Sequence, residues 1–170
     1  MAPGIEFFTA TCLNWQPLLN DDKRKQILMD SLRFMVQDKR IWLYGFVIMP
    51  NHIHLMWCRQ DEWLYKSTEQ IFLKFIAQQI KFKILDSNPI ELENYRSTQR
   101  DRQYHFWERR PFKATMYNRK VAYQKIDYMN YNPVKAGLCK QPEDYWFSSA
   151  RFYLLNVDDW GFLTHYAEHL

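Results

Sequence analysis

Two histidines, His52 and His54, lie in one of the most apolar runs of the chain, GFVIMPNHIHLMWC at residues 45–58. Burying an unpaired imidazole is costly, so two of them in such a run need an explanation. In a strand the two side chains point to the same face, with Cα atoms about 6.5 to 7 Å apart, which suits two ligands of one metal ion. The alternative is a pair of polar side chains on the open face of a half-covered sheet.

A catalytic metal needs at least one further ligand and a reacting group nearby. The segment NRKVAYQKIDYMNYNPVKAGL at 118–138 predicts a helix whose buried stripe contains Ala122, Ile126 and Met129. Tyr128 lies about 120° from that stripe, on a second flank of the helix. The same flank carries a second phenol, two amides and an amine: Tyr131, Gln124, Asn132 and Lys135.

Tyr128 and Asn132 are neighbours on that flank, because residues four apart lie one turn apart. Each has an ordinary alternative. The chain has 11 tyrosines, so Tyr128 could be an amphipathic side chain at the edge of the core. Asn132 precedes Pro133, and asparagine before proline is a good N-cap for a new helical turn. Periodicity alone does not choose between these roles and catalysis.

The elements that must position these residues follow from hydrophobic periodicity, which predicts the order β-α-β-β-α-β-α-α. We expect an α+β fold in which helices pack on one face of a small antiparallel sheet, as in ferredoxin-like and RNA-recognition sandwiches. No linker divides the chain, so residues 1–170 are predicted to form a single domain. Its core would cover about residues 6–155, with a C-terminal tail at about 156–170.

The composition sets limits on location and partners. The formal net charge is +4 and the pI is about 8.9, which is compatible with a nucleic-acid partner. The three cysteines are widely spaced and form no CxxC pair, which predicts reduced thiols in a cytosolic protein. The N-terminal residues do not read as a secretion signal, and no apolar run reaches the roughly 18 residues that a membrane span needs.

Three segments together resemble a known family: VIMPNHIHLMW, YQKIDYMNYNPVKAGL and YWFSSARFY. They are similar to the single-tyrosine HUH transposases, and most of all to the REP-associated tyrosine transposases, which act on repeated palindromic hairpins. The resemblance runs from about Glu6 to Leu155. It implies that His52 and His54 are metal ligands and that Tyr128 is the nucleophile. It also implies Asn132 as the third ligand, where the insertion-sequence branch usually has glutamine.

The resemblance implies metal-dependent nicking and strand transfer of single-stranded or hairpin DNA through a 5′-phosphotyrosine. Mg²⁺ or Mn²⁺ would be the cofactor, although histidine ligands also suit Zn²⁺ and Ni²⁺. A phenol with a pKa near 10 needs activation, by the metal or by a base such as Lys125 or Lys135. The protein would be cytoplasmic and nucleoid-associated, with no membrane partner. It would act as a monomer or homodimer.

A basic and aromatic stretch at residues 96–113 is the best candidate for the DNA path, because cations hold phosphates and rings stack on bases. The alternative is a solvated loop over buried aromatic rings. The predicted DNA-binding residues are Arg96, Arg100, Arg102, Trp107, Arg109, Arg110 and Lys113.

Two other functions remain open at this point. A catalytically silent protein on the same fold would bind hairpin DNA without forming a covalent adduct. A small metal hydrolase or a structural metal site would use His52 and His54 but would be indifferent to Tyr128→Phe.

Overall fold

The computed structural model describes residues 4–170. Four strands form a single antiparallel sheet in the order β2-β3-β1-β4. The predicted order of elements and the α+β class are both confirmed. The elements are β1 (Ile5–Thr11), α1 (Asp22–Gln37), β2 (Ile41–Ile48), β3 (His52–Arg59), α2 (Thr68–Ser87), β4 (Phe112–Met116), α3 (Arg119–Lys135) and α4 (Ala150–Leu155).

Side chains alternate between the two faces of the sheet, and both faces are covered. On one face, Phe8, Leu55 and Trp57 pack into a core cluster with the apolar stripes of α1 and α2. On the other face, Phe7 and Met56 pack with the buried stripe of α3. The predicted helical layer on one face therefore holds for α1 and α2, and α3 adds a layer on the opposite face that the prediction did not include. This second layer places α3 over the histidines.

The boundaries of α1 and α3 follow from local sequence. Asp21 caps α1 by accepting a hydrogen bond from the backbone N–H of Lys23. Asn118 caps α3 in the same way, accepting from Val121. The helix α3 continues through Pro133 to Lys135, so Tyr128 and Asn132 lie on one continuous helix.

Residues after α4 pack against the sheet. Trp160 and Phe162 are buried in the cluster shared with α1 and α2, and Thr164 donates a backbone hydrogen bond to Leu43 of β2. Farther along, the Arg119 guanidinium at the start of α3 donates to the backbone oxygens of Ala167 and Leu170. Within residues 4–170, no helix is long and apolar enough to cross a membrane.

Candidate active site

The two histidines lie on β3, on the face that α3 covers. Their ring centroids are 4.8 Å apart and their planes are nearly perpendicular. Only 4% of His54 is exposed, and its ring packs between Phe7 at 5.4 Å and Tyr128 at 5.3 Å. The alternative interpretation, in which both histidines lie on an open sheet face, is therefore wrong.

One polar neighbour orients each imidazole. The N–H at Nδ1 of His52 donates to Asn51 Oδ1 at 2.7 Å, which leaves Nε2 of the neutral ring with its lone pair. Thr9 lies opposite His54 on β1, and its Oγ1 is 2.7 Å from His54 Nδ1. Polar groups that contact ligating histidines in this way fix the ring orientation and its tautomer.

Two buried atoms near the histidines have no hydrogen-bond partner among the described residues: His54 Nε2 and Asn132 Oδ1. The Asn132 amide also lies close to His52. Its place in the last turns of α3, where its carbonyl accepts from Ala136, excludes the N-cap role. Buried polar atoms are rarely left unpaired, and each exception needs an explanation such as a catalytic role, a water or an ion. Two other buried side-chain atoms in the described part of the chain are unpaired as well, Trp57 Nε1 and Asn130 Oδ1. A metal is therefore indicated by the closeness of His54 Nε2 and Asn132 Oδ1 to the histidine pair.

Burial keeps both imidazoles neutral. It lowers the pKa of His52, although the nearby Asn132 amide partly offsets the effect. It lowers the pKa of His54 to about 3, and the charges of His52 and Lys125 lower it further. Neutral imidazole is the form that binds a metal ion.

The donor set fits a divalent metal ion. Two neutral imidazoles and an amide oxygen can each offer a lone pair, and two of these three donor atoms are otherwise orphaned. The described residues contain no group of three His, Cys, Asp or Glu side chains that could hold a metal. A metal at this place would therefore depend on Asn132 as a ligand.

Tyr128 is the α3 tyrosine whose ring contacts His54, and 42% of it is exposed. Two ammonium groups lie over its ring, with Lys125 Nζ at 5.7 Å and Lys135 Nζ at 5.9 Å from the centroid. Positive charge at this distance attracts a phosphate group. The structure thus brings together the two histidines, Tyr128, Asn132 and both lysines that the sequence singled out.

Trp107 is not available for stacking on a base, which corrects one predicted DNA-binding residue. Only 6% of it is exposed, and its indole N–H donates to the backbone oxygen of Leu73 in α2. A bridge to Cys12 at the end of β1 holds the segment against the core. The sequence shows the tryptophan next to arginines but does not reveal that neighbouring side chains turn to opposite sides.

The predicted cations fall into two groups. Arg96, Arg100 and Arg102 belong to a loop that a bridge between Arg96 and Tyr104 closes, with Arg96 paired to Glu93. Arg102 lies 3.5 Å from Asp101. Lys113, Arg109 and Arg110 are on or next to β4: Lys113 pairs with Glu69 and Arg109 faces the side-chain amide of Gln99.

Arg109 and Arg110 line a groove of about 230 Å³ beside the histidines. The sequence reasoning missed Trp15, an exposed side chain in this groove whose ring lies 5.9 Å from His52. The only signal in the sequence was a tryptophan in a polar turn, LNWQP, that no core pattern required. The complete lining is Thr9, Thr11, Trp15, Glu108, Arg109, Arg110, Pro111 and Phe112.

Comparison with known proteins identifies a solved structure with a similar fold. No protein-family model and no curated protein matches the sequence. Among solved structures, the chain is similar to a REP-associated tyrosine transposase bound to a REP hairpin, with a TM-score of 0.66 and 22% identity. The match covers 96% of this chain and 87% of that one. The chain therefore shares the α+β fold of that transposase over almost its whole length.

Proposed function

We propose that the protein is a metal-dependent enzyme that nicks and rejoins single-stranded DNA next to a hairpin. The observation that carries the proposal is the placement of Tyr128 against a pair of oriented, neutral histidines, beside the orphaned Oδ1 of Asn132. The fold shared with a hairpin-bound transposase supports the same reading.

His52, His54 and Asn132 would hold the metal, and Mg²⁺ or Mn²⁺ is the expected ion. When bound, the ion supplies a Lewis acid that polarises a scissile phosphate. The residues around it keep both imidazoles unprotonated and exclude water from His54.

Tyr128 is the proposed nucleophile. Its Oη attacks phosphorus in line, and the bond between phosphorus and the 3′-oxygen breaks. The phenol proton leaves to solvent, and the departing 3′-oxygen takes up one proton from solvent. The products are a 5′-phosphotyrosine and a strand with a free 3′-OH. Lys125 and Lys135 stabilise the phenolate during attack, since both ammonium groups lie over its ring. Attack by a 3′-OH on the phosphotyrosine reverses the step and rejoins strands without ATP.

Strand cleavage is tested by trapping the covalent intermediate. The protein is incubated with end-labelled hairpin DNA that carries single-stranded flanks, taken from the surroundings of its own gene, with Mg²⁺, with Mn²⁺ or with chelator. We expect an adduct that survives denaturation, requires metal, and falls to background in Tyr128→Phe while hairpin binding is kept. Tyr131→Phe is the matched control, because that residue lies on the same helix and is similarly exposed.

Other outcomes point to other functions. Hairpin binding with no adduct under any metal would leave the catalytically silent protein. An adduct that persists in Tyr128→Phe would move the nucleophile to Tyr117, Tyr123 or Tyr131. Tight metal binding without any affinity for DNA would favour the hydrolase or structural metal site.

A further inference from the structure

Trp15 is a large apolar side chain placed where packing gives no reason for it. It is 61% exposed, and its ring meets the edge of His52 at 5.9 Å. Its backbone is in the left-handed region with φ 56, and so is that of Asn14 with φ 54. Non-glycine residues adopt this conformation rarely, and it persists only where the surrounding structure enforces it.

The turn that carries Trp15 is tied to the segment before β4. The backbone N–H of Leu13 donates to the oxygen of Phe106 at 2.8 Å, and that of Asn14 donates to Glu108 Oε1 at 2.6 Å. On the other side, the Gln16 side chain donates to the backbone oxygen of Asn94 at 2.8 Å. These bonds hold the backbone of the turn that carries Trp15 in place beside the histidines.

The opposite wall of the groove is cationic and aromatic. Arg110 also has a left-handed backbone, with φ 58, and Arg109 precedes it. Phe112 exposes more than half of its surface at the same groove. The one acidic residue of the lining is Glu108, whose carboxylate accepts from the Asn14 N–H. The groove is positive because Arg109 and Arg110 outnumber this single carboxylate.

We propose that Trp15 is a stacking platform for one unpaired nucleotide next to the scissile phosphate. Its indole covers the base, while Arg109 and Arg110 contact the phosphate of the same strand. The inference rests on the proposed function, since it names where the single strand lies at that site. The groove has two exposed rings, Trp15 and Phe112, and two cations, and it adjoins the histidines through their cross-strand partners Thr9 and Thr11. Exposed rings beside cations are the chemistry that binds single strands.

Equilibrium binding measurements test the stacking role of Trp15 separately from DNA cleavage. All variants carry Tyr128→Phe, so that no covalent product forms, and the probe is a fluorescent hairpin with a single-stranded flank. We expect Trp15→Ala to weaken binding by about 5- to 100-fold, the range of one lost base–aromatic stack. Trp15→Phe should recover most of the affinity, because phenylalanine keeps a π-face. Tyr65→Ala, in the loop after the far end of β3, should have no effect.

A scan of single abasic positions along the flank then tests stacking directly. We expect one position at which removing the base weakens binding to the parent protein but no longer weakens binding to Trp15→Ala. Equal losses in both proteins at every position would overturn the platform, as would parent-like affinity of Trp15→Ala.

The two proposals fail separately: an adduct with wild-type Tyr128 and no effect of Trp15 overturns only the platform. Binding that depends on Trp15 with no adduct overturns only the cleavage chemistry. Absence of hairpin binding by the parent overturns both.

Discussion

The Thr9 hydroxyl is the polar group that holds the buried imidazole of His54 in place, at 2.7 Å from Nδ1. Without it, the ring would keep its packing between Phe7 and Tyr128 but would lose the contact that orients Nε2. Because the ring is enclosed, losing this contact would affect both metal binding and stability: Nδ1 would be left buried without a hydrogen-bond partner.

We expect Thr9→Val to lower metal affinity by about 10- to 100-fold. It should also cost about 1–3 kcal/mol of stability, because valine keeps the shape but leaves His54 Nδ1 buried without a partner. The measurement is the Mn²⁺ concentration for half-maximal adduct formation, together with direct Mn²⁺ titration without DNA. Thr115→Val, at an exposed position of β4, is the matched control. Unchanged Mn²⁺ affinity in Thr9→Val would mean that the hydroxyl does not position His54.

The sequence was informative about single residues where a local period decides which way a side chain points. Alternation put His52 and His54 on one face, and the helical period put Tyr128 and Asn132 on one flank of α3. Their roles as ligands and nucleophile remain proposals. Trp107 and Trp15 were beyond this reasoning, since their exposure depends on how two segments far apart in sequence are bonded to each other.

The distance between α3 and the sheet depends on Gly45 of β2. A Cβ at this position would lie 2.6 Å from Ile126 Cδ1 and 3.0 Å from Met129 Cε. The strand also has a register shift between Leu43 and Gly45. The missing side chain lets the buried stripe of α3 settle onto β2, and the same helix carries Tyr128 toward His54.

Gly45→Val is expected to destabilise the fold by about 1–3 kcal/mol through overpacking. It should also slow adduct formation, because α3 must move away from β3. Denaturant unfolding measures the loss of stability, and single-turnover kinetics at saturating DNA measure the rate of adduct formation. Gly45→Ala should be intermediate between the parent and Gly45→Val in both stability and the rate of adduct formation. A Gly45→Val protein with parent-like stability and rate would show that α3 does not depend on this close approach.

Strands and helices could be predicted because each has its own hydrophobic period, and their order was enough to predict the α+β sandwich. The face of the sheet on which α3 packs could not be predicted in this way. An apolar stripe shows that one side of a helix is buried, but not which face of the sheet buries it. The near-continuous apolar run of β2 was the hint, since a strand buried on both sides requires cover on both sides.

Cations lie on both sides of the sheet, and a salt titration can measure which of them contact DNA. Arg109 and Arg110 lie at the groove beside the site, whereas α2 packs on the opposite face of the sheet. A cation that contacts a DNA phosphate releases counterions when DNA binds, and a cation elsewhere does not.

We expect Arg110→Gln to reduce the slope of log affinity against log salt by about 0.7 for a single-stranded flank, the value of one lost phosphate contact. Lys83→Gln, an exposed substitution on α2 with the same change in net charge, should leave the slope unchanged. The slopes of both variants are measured by fluorescence anisotropy titrations between low and physiological salt. Equal slopes for the two variants would place the DNA path away from this groove.

The two parts of the candidate site are attached to the fold in different ways. The histidines lie on β3, which pairs with β1 and β2 along its whole length, whereas Trp15 and Arg110 lie in turns outside the sheet. Under the proposed function, target preference could therefore diverge among descendants of this chain while the proposed cleavage site on the sheet stays unchanged. For an engineer, libraries confined to residues 13–16 and 108–112 would sample new recognition sequences without touching the strand that holds the histidines.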